Sequence, residues 1–282
     1  IQQLPNYNDI VYINCSDNNL IELPPNLPQS LQILNCSDNN LIELPPNLPQ
    51  SLQKVYCYNN KLVKLPTNLP QYLLELYCSH NNLVELPPNL PQSLQILYCS
   101  HNKFVEIPPH LPQSLQVLYC NYNKLVELPN LPPSLQRLYC SYNNLTELPP
   151  NLPQSLLELN CSYNKLTELP EDLPQSLQVL VCYSNKLTEL PNLPQSLQQL
   201  YCNHNNLTEL PTNLHEYRNL THCHYGGNEI EYIPPHITRF LNRLSGNGIA
   251  KLYGDGQNVH NHQIQESIRN SIYAVMKVKP SI

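Results

Sequence analysis

Tryptophan is absent from this 282-residue chain, methionine occurs once and phenylalanine twice, and only 13% of the residues are charged. That charged fraction is about half of the value in typical globular domains. The 15 lysines and arginines are fewer than the 21 aspartates and glutamates, and the formal net charge of −6 gives no electrostatic support for binding nucleic acid. No apolar run approaches the roughly 18 residues that cross a bilayer, so the sequence predicts no membrane segment.

Proline and tyrosine are abundant instead, with 29 and 19 copies, and the 11 cysteines are evenly spaced, always 20 or 21 residues apart. Around the first ten, apolar residues stand five and two positions before the cysteine, asparagine three positions after it, and another apolar residue five positions after it. The cysteines are Cys15, Cys36, Cys57, Cys78, Cys99, Cys120, Cys140, Cys161, Cys182, Cys202 and Cys223. A unit this short cannot bury its own apolar side, so the units must stack around a shared core.

This spacing is the leucine-rich repeat pattern, with cysteine in the third apolar position of a short strand. Because side chains alternate along a strand, Leu97 and Cys99 should point into the core and Tyr98 toward the concave surface. The segment that returns to the next strand is too rich in proline for a helix. The sequence therefore predicts a leucine-rich-repeat solenoid of the α/β horseshoe class, mostly parallel β with an extended polyproline-like convex side, about 11 repeats and a C-terminal helical cap.

The asparagine of each copy should close its strand and form a ladder of buried amides along the solenoid, with a structural role. The predicted ladder consists of Asn18, Asn39, Asn60, Asn81, Asn102, Asn123, Asn143, Asn164, Asn185 and Asn205.

Segments such as Leu145-Thr146-Glu147-Leu148-Pro149 recur throughout residues 1–234. They resemble the short bacterial-type leucine-rich repeats of secreted pathogen effectors, the Yersinia outer protein M class and the Shigella invasion-plasmid antigen H class. That resemblance implies a protein that acts on a host partner. Some of these families add a helical N-terminal cap and one adds a catalytic ubiquitin-ligase domain, neither of which the sequence shows.

The repeats are expected to occupy residues 1–234, and residues 235–282 to hold a degenerate last repeat and an amphipathic helical cap. In the eleventh copy Cys223 moves to the second leucine position, and a twelfth copy would keep Ile237, Leu241 and Leu244. Further on, apolar residues from Ile264 to Val275 recur at helical spacing. Residues 253–272 resemble a segment that follows repeats in giant amoebal virus (mimivirus-like) proteins.

The cysteines allow three interpretations: disulfides, a metal-thiolate ladder and buried free thiols. Bridges between in-register strands would strain them, and thiolates would put charge into a dry core. Buried thiols that act as small apolar side chains fit best and point to a reducing, cytoplasmic compartment. The triplets Cys15-Ser16-Asp17 and Cys36-Ser37-Asp38 match the Cys-x-Asp nucleophile of effector ligases, but their sulfurs should face the core.

No other pattern predicts chemistry. The pairs His222/His224 and His260/His262 have the spacing of two ligands on one strand face, but no carboxylate or free thiol completes a metal signature. We therefore expect no catalytic residue, no metal site and no cofactor. A row of glutamates precedes the Leu-Pro pairs, with Lys64 interrupting it, and is interpreted as a solvated rim, with a basic partner as the alternative.

The strand positions that face outward carry the best functional signal. The residue before each cysteine is tyrosine in five consecutive copies, Tyr56, Tyr77, Tyr98, Tyr119 and Tyr139. Two positions earlier the chain includes Arg137, and the residue before each ladder asparagine includes His80, His101, Tyr122 and Tyr142. Exposed tyrosines are enriched in protein interfaces, although stacked rings also stabilise a sheet. These ten residues form the predicted partner-binding surface.

The function expected from the sequence is a non-enzymatic protein-interaction module, a host-directed effector or viral protein that binds a partner on its concave tyrosine-rich face, without contact to nucleic acid or membrane. The alternative is the substrate-recognition half of a ubiquitin ligase whose catalytic domain is absent from this chain.

Overall fold

The computed structural model describes residues 6–244, and these build one parallel sheet of 11 strands that follow each other in chain order. The strands are β1 (Tyr12–Asn14), β2 (Ile33–Asn35), β3 (Lys54–Tyr56), β4 (Glu75–Tyr77), β5 (Ile96–Tyr98), β6 (Val117–Tyr119), β7 (Arg137–Tyr139), β8 (Glu158–Asn160), β9 (Val179–Val181), β10 (Gln199–Tyr201) and β11 (His222–His224). Each return segment between them is extended or turn-like, and short 3-10 turns occur at Tyr7–Asp9 and Leu214–Glu216. The leucine-rich-repeat solenoid is thus confirmed.

Strands β2 to β11 each bury their middle residue, and most of their end residues are partly exposed; β6 is buried along its whole length, and β8 and β9 also bury their last residue. In β5 the side chain of Leu97 is fully buried, and so is that of Cys99 just after the strand, whereas Tyr98 is half-buried. The strand begins and ends one residue earlier than the sequence predicts, but the predicted inward positions are confirmed. Leucines of the return segments, such as Leu86 and Leu90, complete the same continuous core.

The asparagine ladder is also confirmed. Asn102 Nδ2 donates to the carbonyl oxygen of Cys78 in the preceding repeat at 3.0 Å and to that of Cys99 in its own repeat at 3.2 Å. Its Oδ1 accepts the backbone N–H of Leu83 at 3.0 Å. Each buried amide therefore joins two repeats, and a cysteine carbonyl such as that of Cys78 accepts from two successive ladder asparagines, Asn81 and Asn102.

A second polar ladder, formed by serines of the return segments, was not predicted. Ser114 Oγ lies 2.6 Å from the carbonyl oxygen of Gln92 and 2.8 Å from that of Leu94, both in the preceding repeat. The same pair of contacts recurs at Ser51 and Ser93. One repeat breaks the ladder, because Tyr72 stands at this position with 69% of its surface exposed.

Replacing Tyr72 by serine should therefore raise the free energy of unfolding by about 1 kcal/mol, the net value of an added hydrogen bond. The new hydroxyl would reach the carbonyls of Gln50 and Leu52 as its neighbours do. Urea denaturation of the wild type and Tyr72→Ser measures the change. Ser114→Ala is the matched control and should move stability in the opposite direction; a Tyr72→Ser variant less stable than the wild type would contradict the ladder.

The C-terminal end of the described chain departs from the repeat. Cys223 pairs in register with Leu200, which confirms that the eleventh cysteine occupies the second leucine position. Where the sequence predicts a twelfth repeat, the chain instead forms helix α1 (Pro235–Leu244), which packs against β11 and the 3-10 turn before it. Ile237 and Leu241 lie one helical turn apart and are buried, and a proline at the first position favours a helix start.

The predicted amphipathic helix after residue 260, together with the segment likened to giant-virus proteins, lies outside the described residues. Within residues 6–244, no helix has the length and apolar character that crossing a membrane requires.

All 11 cysteines are free thiols, and ten of them are buried. Burial raises the pKa of the Cys78 and Cys120 thiols to about 12. Cys15, in the first repeat, is only partly buried, and its pKa is raised by the same cause.

In the folded protein at pH 8, a thiol reagent should therefore modify Cys15 first and the other ten cysteines at least about 100-fold more slowly, because their reaction requires local opening and a thiolate. Mass spectrometry of a labelling time course counts the modified sites, and labelling in urea gives the total. Rapid modification of several cysteines in the folded state would contradict a closed core.

Candidate protein-binding surface

The five predicted tyrosines form one continuous column of rings on the exposed face of the sheet, called here the tyrosine ladder (Tyr56, Tyr77, Tyr98, Tyr119, Tyr139). The first three rings are stacked, with centroids 4.7 and 4.8 Å apart. The last three meet edge to face at 4.3 Å. In-register pairing of β3 to β7 produces this column, because it places the residue before each cysteine directly beside its equivalent.

The five rings of the tyrosine ladder differ in their exposure to solvent. Tyr119 is only 9% exposed because the neighbouring rings cover it, whereas Tyr77 and Tyr98 are half-buried. Burial raises the pKa of the Tyr98 hydroxyl well above its ordinary value, and the adjacent Tyr119 hydroxyl adds to this. The ladder hydroxyls are therefore neutral donors at any physiological pH.

Beside the tyrosine ladder, the first residues of the strands form the ion-pair column, which has an apolar middle and a salt bridge at each side. Lys54 Nζ lies 2.8 Å from Glu75 Oε1, and Arg137 Nε donates to Glu158 Oε1 at 3.1 Å. Both pairs join neighbouring strands in register. Ile96 and Val117 occupy the two repeats between them.

The two glutamates of this column also hold tyrosines in place. Tyr77 Oη donates to Glu75 Oε2 at 3.0 Å, and Tyr139 Oη donates to Glu158 Oε2. Burial and the nearby carboxylate raise the pKa of Tyr77, so its hydroxyl keeps the proton that makes this bond. Each glutamate thus accepts from a tyrosine and a cation at once, which holds the rings of Tyr77 and Tyr139 in one orientation.

The residue before each ladder asparagine forms a third column, the turn ladder, at the ends of the strands. Every member from Asp17 to His204 has a positive φ between 50° and 55°, although none is glycine. This left-handed conformation costs L-residues roughly 1 kcal/mol or more, least for Asn and Asp. The members are Asp17, Asp38, Asn59, His80, His101, Tyr122, Tyr142, Tyr163, Ser184 and His204.

The predicted site residues His80, His101, Tyr122 and Tyr142 form a stack within the turn ladder, and Tyr163 extends it. Successive ring centroids are 4.0 to 4.1 Å apart, with the planes within 21° of parallel. Burial between its neighbours, together with the adjacent His80, lowers the pKa of His101 to about 4. Neutral imidazoles therefore line this part of the surface at neutral pH.

Several residues and contacts of this surface were not predicted from the sequence. Tyr183 packs edge to face on Tyr163 at 5.2 Å and is almost fully buried, so it ends the stack. Residues of the turn ladder from Tyr122 to Ser184 also line a shallow open groove of about 650 Å³. The in-register pairing of Glu75 with Lys54 was readable from the repeat spacing, but the hydroxyl contacts of the glutamates depend on rotamers that the spacing does not specify.

The residues considered for chemistry do not assemble a reactive site. Cys36 is fully buried, and burial raises its pKa well above the ordinary thiol value, so the Cys-Ser-Asp triplet holds no exposed thiolate there. His224 stacks on Tyr201 at 4.9 Å, and His222 Nδ1 lies 2.9 Å from the hydroxyl of Thr221. Within residues 6–244, no group of His, Cys, Asp and Glu side chains is placed to hold a metal ion; His260 and His262 lie outside that range.

Comparisons with known proteins agree with this architecture. The Leucine Rich Repeat family matches residues 30–52, 93–113 and 134–156. The leucine-rich-repeat domain of a Shigella effector is 37% identical over 62% of this chain and 77% of that chain, with a TM-score of 0.53. The functional domain of InlJ from Listeria monocytogenes, which includes a cysteine ladder, is 28% identical over 75% of this chain, with a TM-score of 0.63.

YopM from Yersinia enterocolitica WA-314 is 33% identical over 81% of this chain, with a TM-score of 0.49. The chain spans 63% of that YopM chain and 52% of the InlJ chain. No curated protein matches the sequence. The chain belongs to the leucine-rich-repeat family, and its similarity to the repeat domain of the Shigella effector supports a protein-interaction module.

Proposed function

We propose that this chain binds a host protein with the tyrosine face, defined as the tyrosine ladder together with the ion-pair column, and that it does so without enzymatic activity. The observation that carries the proposal is the layout of this face. An apolar centre, made by Ile96, Val117 and the tyrosine rings, lies between two in-register salt bridges. Apolar centres with aromatic residues and a polar rim are typical of protein interfaces.

Preorganisation supports the same face. Tyr77 and Tyr139 are already held by carboxylates, so binding would cost little side-chain entropy at these two anchors. The salt bridges are satisfied within the chain, which favours a partner that presents an apolar, hydrogen-bonding surface to the centre of the face. Tyrosines in such settings are frequent hot spots of binding energy.

We propose that the protein acts in a reducing cytosol. The 11 free thiols support it, because a chain this rich in cysteine commonly carries disulfides in oxidising compartments and none of these cysteines is bridged. The effector domain from Shigella supports the host-directed role, because it is the similar structure with the highest identity among those compared above.

The test replaces Tyr77 and Tyr98 together by asparagine, the residue that the same strand position carries as Asn14, Asn35 and Asn160. A partner captured from host-cell cytosol in reductant by the wild type should bind the double variant about 30-fold more weakly, or about 2 kcal/mol. Isothermal titration with the purified partner measures the change. Tyr72→Asn, at an exposed tyrosine away from the sheet, is the matched control. Equal affinities of wild type and double variant would contradict the proposal.

A further inference from the structure

A second surface, on the flank of the solenoid, carries exposed aliphatic side chains in six consecutive repeats. Each lies three positions after the ladder asparagine, directly after an inward-facing apolar residue, and together they are called here the aliphatic stripe. Its members and their exposed fractions are Ile21 69%, Ile42 59%, Val63 52%, Val84 55%, Val105 54% and Val126 55%. Contiguous apolar surface of this kind is uncommon on soluble proteins and marks interaction sites.

The fold does not require aliphatic residues at this position. In the next four repeats the equivalent residues are all threonine and all exposed, while the leucine directly before each of them is fully buried. These threonines are Thr146, Thr167, Thr188 and Thr208. The same backbone position therefore accepts a hydroxyl, and the aliphatic stripe needs an explanation other than packing within the chain.

Charged residues lie along one long border of the stripe. The residue that follows each stripe member is an exposed glutamate in five of the six repeats and Lys64 in the other. Glu43 lies 3.8 Å from Lys64, a weak and exposed pair. For Glu85, Glu106 and Glu127 the described part of the chain offers no cation within salt-bridge distance. One long border of the stripe is thus available to positive charge.

The distance between successive stripe residues favours one backbone conformation in a partner that contacts them. Adjacent repeats lie about 4.8 Å apart in a parallel sheet, in line with the 4.7 Å between the stacked rings of Tyr56 and Tyr77. Side chains on one face of an α-helix recur about every 5.4 Å, a mismatch of roughly 0.6 Å per repeat. On an extended strand they recur every 6.6 to 6.8 Å, a mismatch of about 2 Å per repeat that accumulates along the stripe.

We propose that the aliphatic stripe binds a basic amphipathic helix of a partner protein, with the apolar side of the helix on the stripe and its lysines or arginines beside the glutamates. A helix of about 18 residues covers the roughly 24 Å between the first and last stripe members. This surface is distinct from the tyrosine face and does not depend on it.

The experiment uses a synthetic amphipathic helical peptide of about 18 residues, with leucines on one face and arginines along one border, and a counterpart with glutamates in place of the arginines. Fluorescence anisotropy measures binding to the wild type and to Val84→Thr/Val105→Thr/Val126→Thr. We expect the threonine variant, which copies the following repeats, to bind the basic peptide at least tenfold more weakly. The reciprocal variant Thr146→Val/Thr167→Val lengthens the stripe and should bind it more tightly.

Further variants test the role of the glutamates and the location of the binding site. Glu85→Gln/Glu106→Gln/Glu127→Gln should weaken binding and remove most of its salt dependence, and the acidic peptide should not bind. Tyr77→Asn/Tyr98→Asn should bind the basic peptide as the wild type does. No binding by the wild type, equal binding by the threonine variant, or loss in the tyrosine variant would overturn the proposal. So would stripe-dependent self-association in sedimentation, because the occupant would then be a second copy.

Discussion

Replacing Asn102 by alanine should lower the free energy of unfolding by about 3 kcal/mol or more. The substitution leaves the buried Leu83 N–H without its acceptor. It also removes one of the two asparagine donors to each of the Cys78 and Cys99 carbonyls, which keep Asn81 and Asn123 respectively. A buried N–H left without a partner costs about 1–3 kcal/mol, and each further hydrogen bond that is lost adds about 0.5–1.5 kcal/mol. Since Asn102 connects two repeats, the loss weakens their interface as well as one turn, and stability in a solenoid depends on such interfaces.

Asn18 is the matched control, because the same residue type at the first repeat is exposed and donates only within its own repeat, to Cys15 and Ser16. Asn18→Ala should cost less than about 1 kcal/mol, since water can replace its bonds. Urea denaturation followed by circular dichroism and by tyrosine fluorescence measures both variants. Equal losses for Asn102→Ala and Asn18→Ala would show that the buried ladder does not stabilise the array.

Replacing Phe104 by alanine should cost about 3–5 kcal/mol, the usual range for a buried aromatic side chain. Phe104 has no exposed surface and is the largest of the fully buried side chains. It stands where Leu83 and Leu125 stand in the adjacent repeats. Removing its ring leaves a void between two rigid layers of leucine, which cannot close because each layer is tied to its neighbours by the asparagine ladder.

Phe104→Leu separates this cavity cost from any special role of the ring. The leucine variant restores the residue of the neighbouring repeats and should cost less than about 1.5 kcal/mol. Thermal or urea unfolding compares the two variants with the wild type. If Phe104→Ala were as stable as Phe104→Leu, the core would have to be loosely packed at this repeat, contrary to the structure.

The parts of the fold that could be predicted are those that follow from the regular repeat of the sequence. Ten in-frame copies identify which residues are equivalent, and strand alternation then places Leu97 and Cys99 inside and Tyr98 outside. The asparagine ladder follows for the same reason, since an amide recurring at the end of each strand must satisfy backbone groups. The five tyrosines could be placed in one column before any contact was known.

What remained unpredicted depends on conformation within one repeat rather than on equivalence between repeats. The left-handed backbone of the turn ladder carries no glycine signal, because residues such as Tyr122 and Tyr142 adopt it and are stabilised by stacking and by backbone bonds to the next repeat. Helix α1 was missed because Ile237, Leu241 and Leu244 fit a degenerate repeat and a helix equally well. Neither feature follows from the repeat period.

The most direct test of the tyrosine face is site-specific photo-crosslinking. A benzophenone amino acid is placed at position 77 or 98 in one set of variants and at position 72 or 232 in another. Tyr72 and Tyr232 are the control sites because they are highly exposed and lie outside the tyrosine ladder. We expect a captured partner to crosslink from positions 77 and 98 and not from 72 or 232. Crosslinks from the control positions alone would contradict the assignment of the tyrosine face as the binding surface.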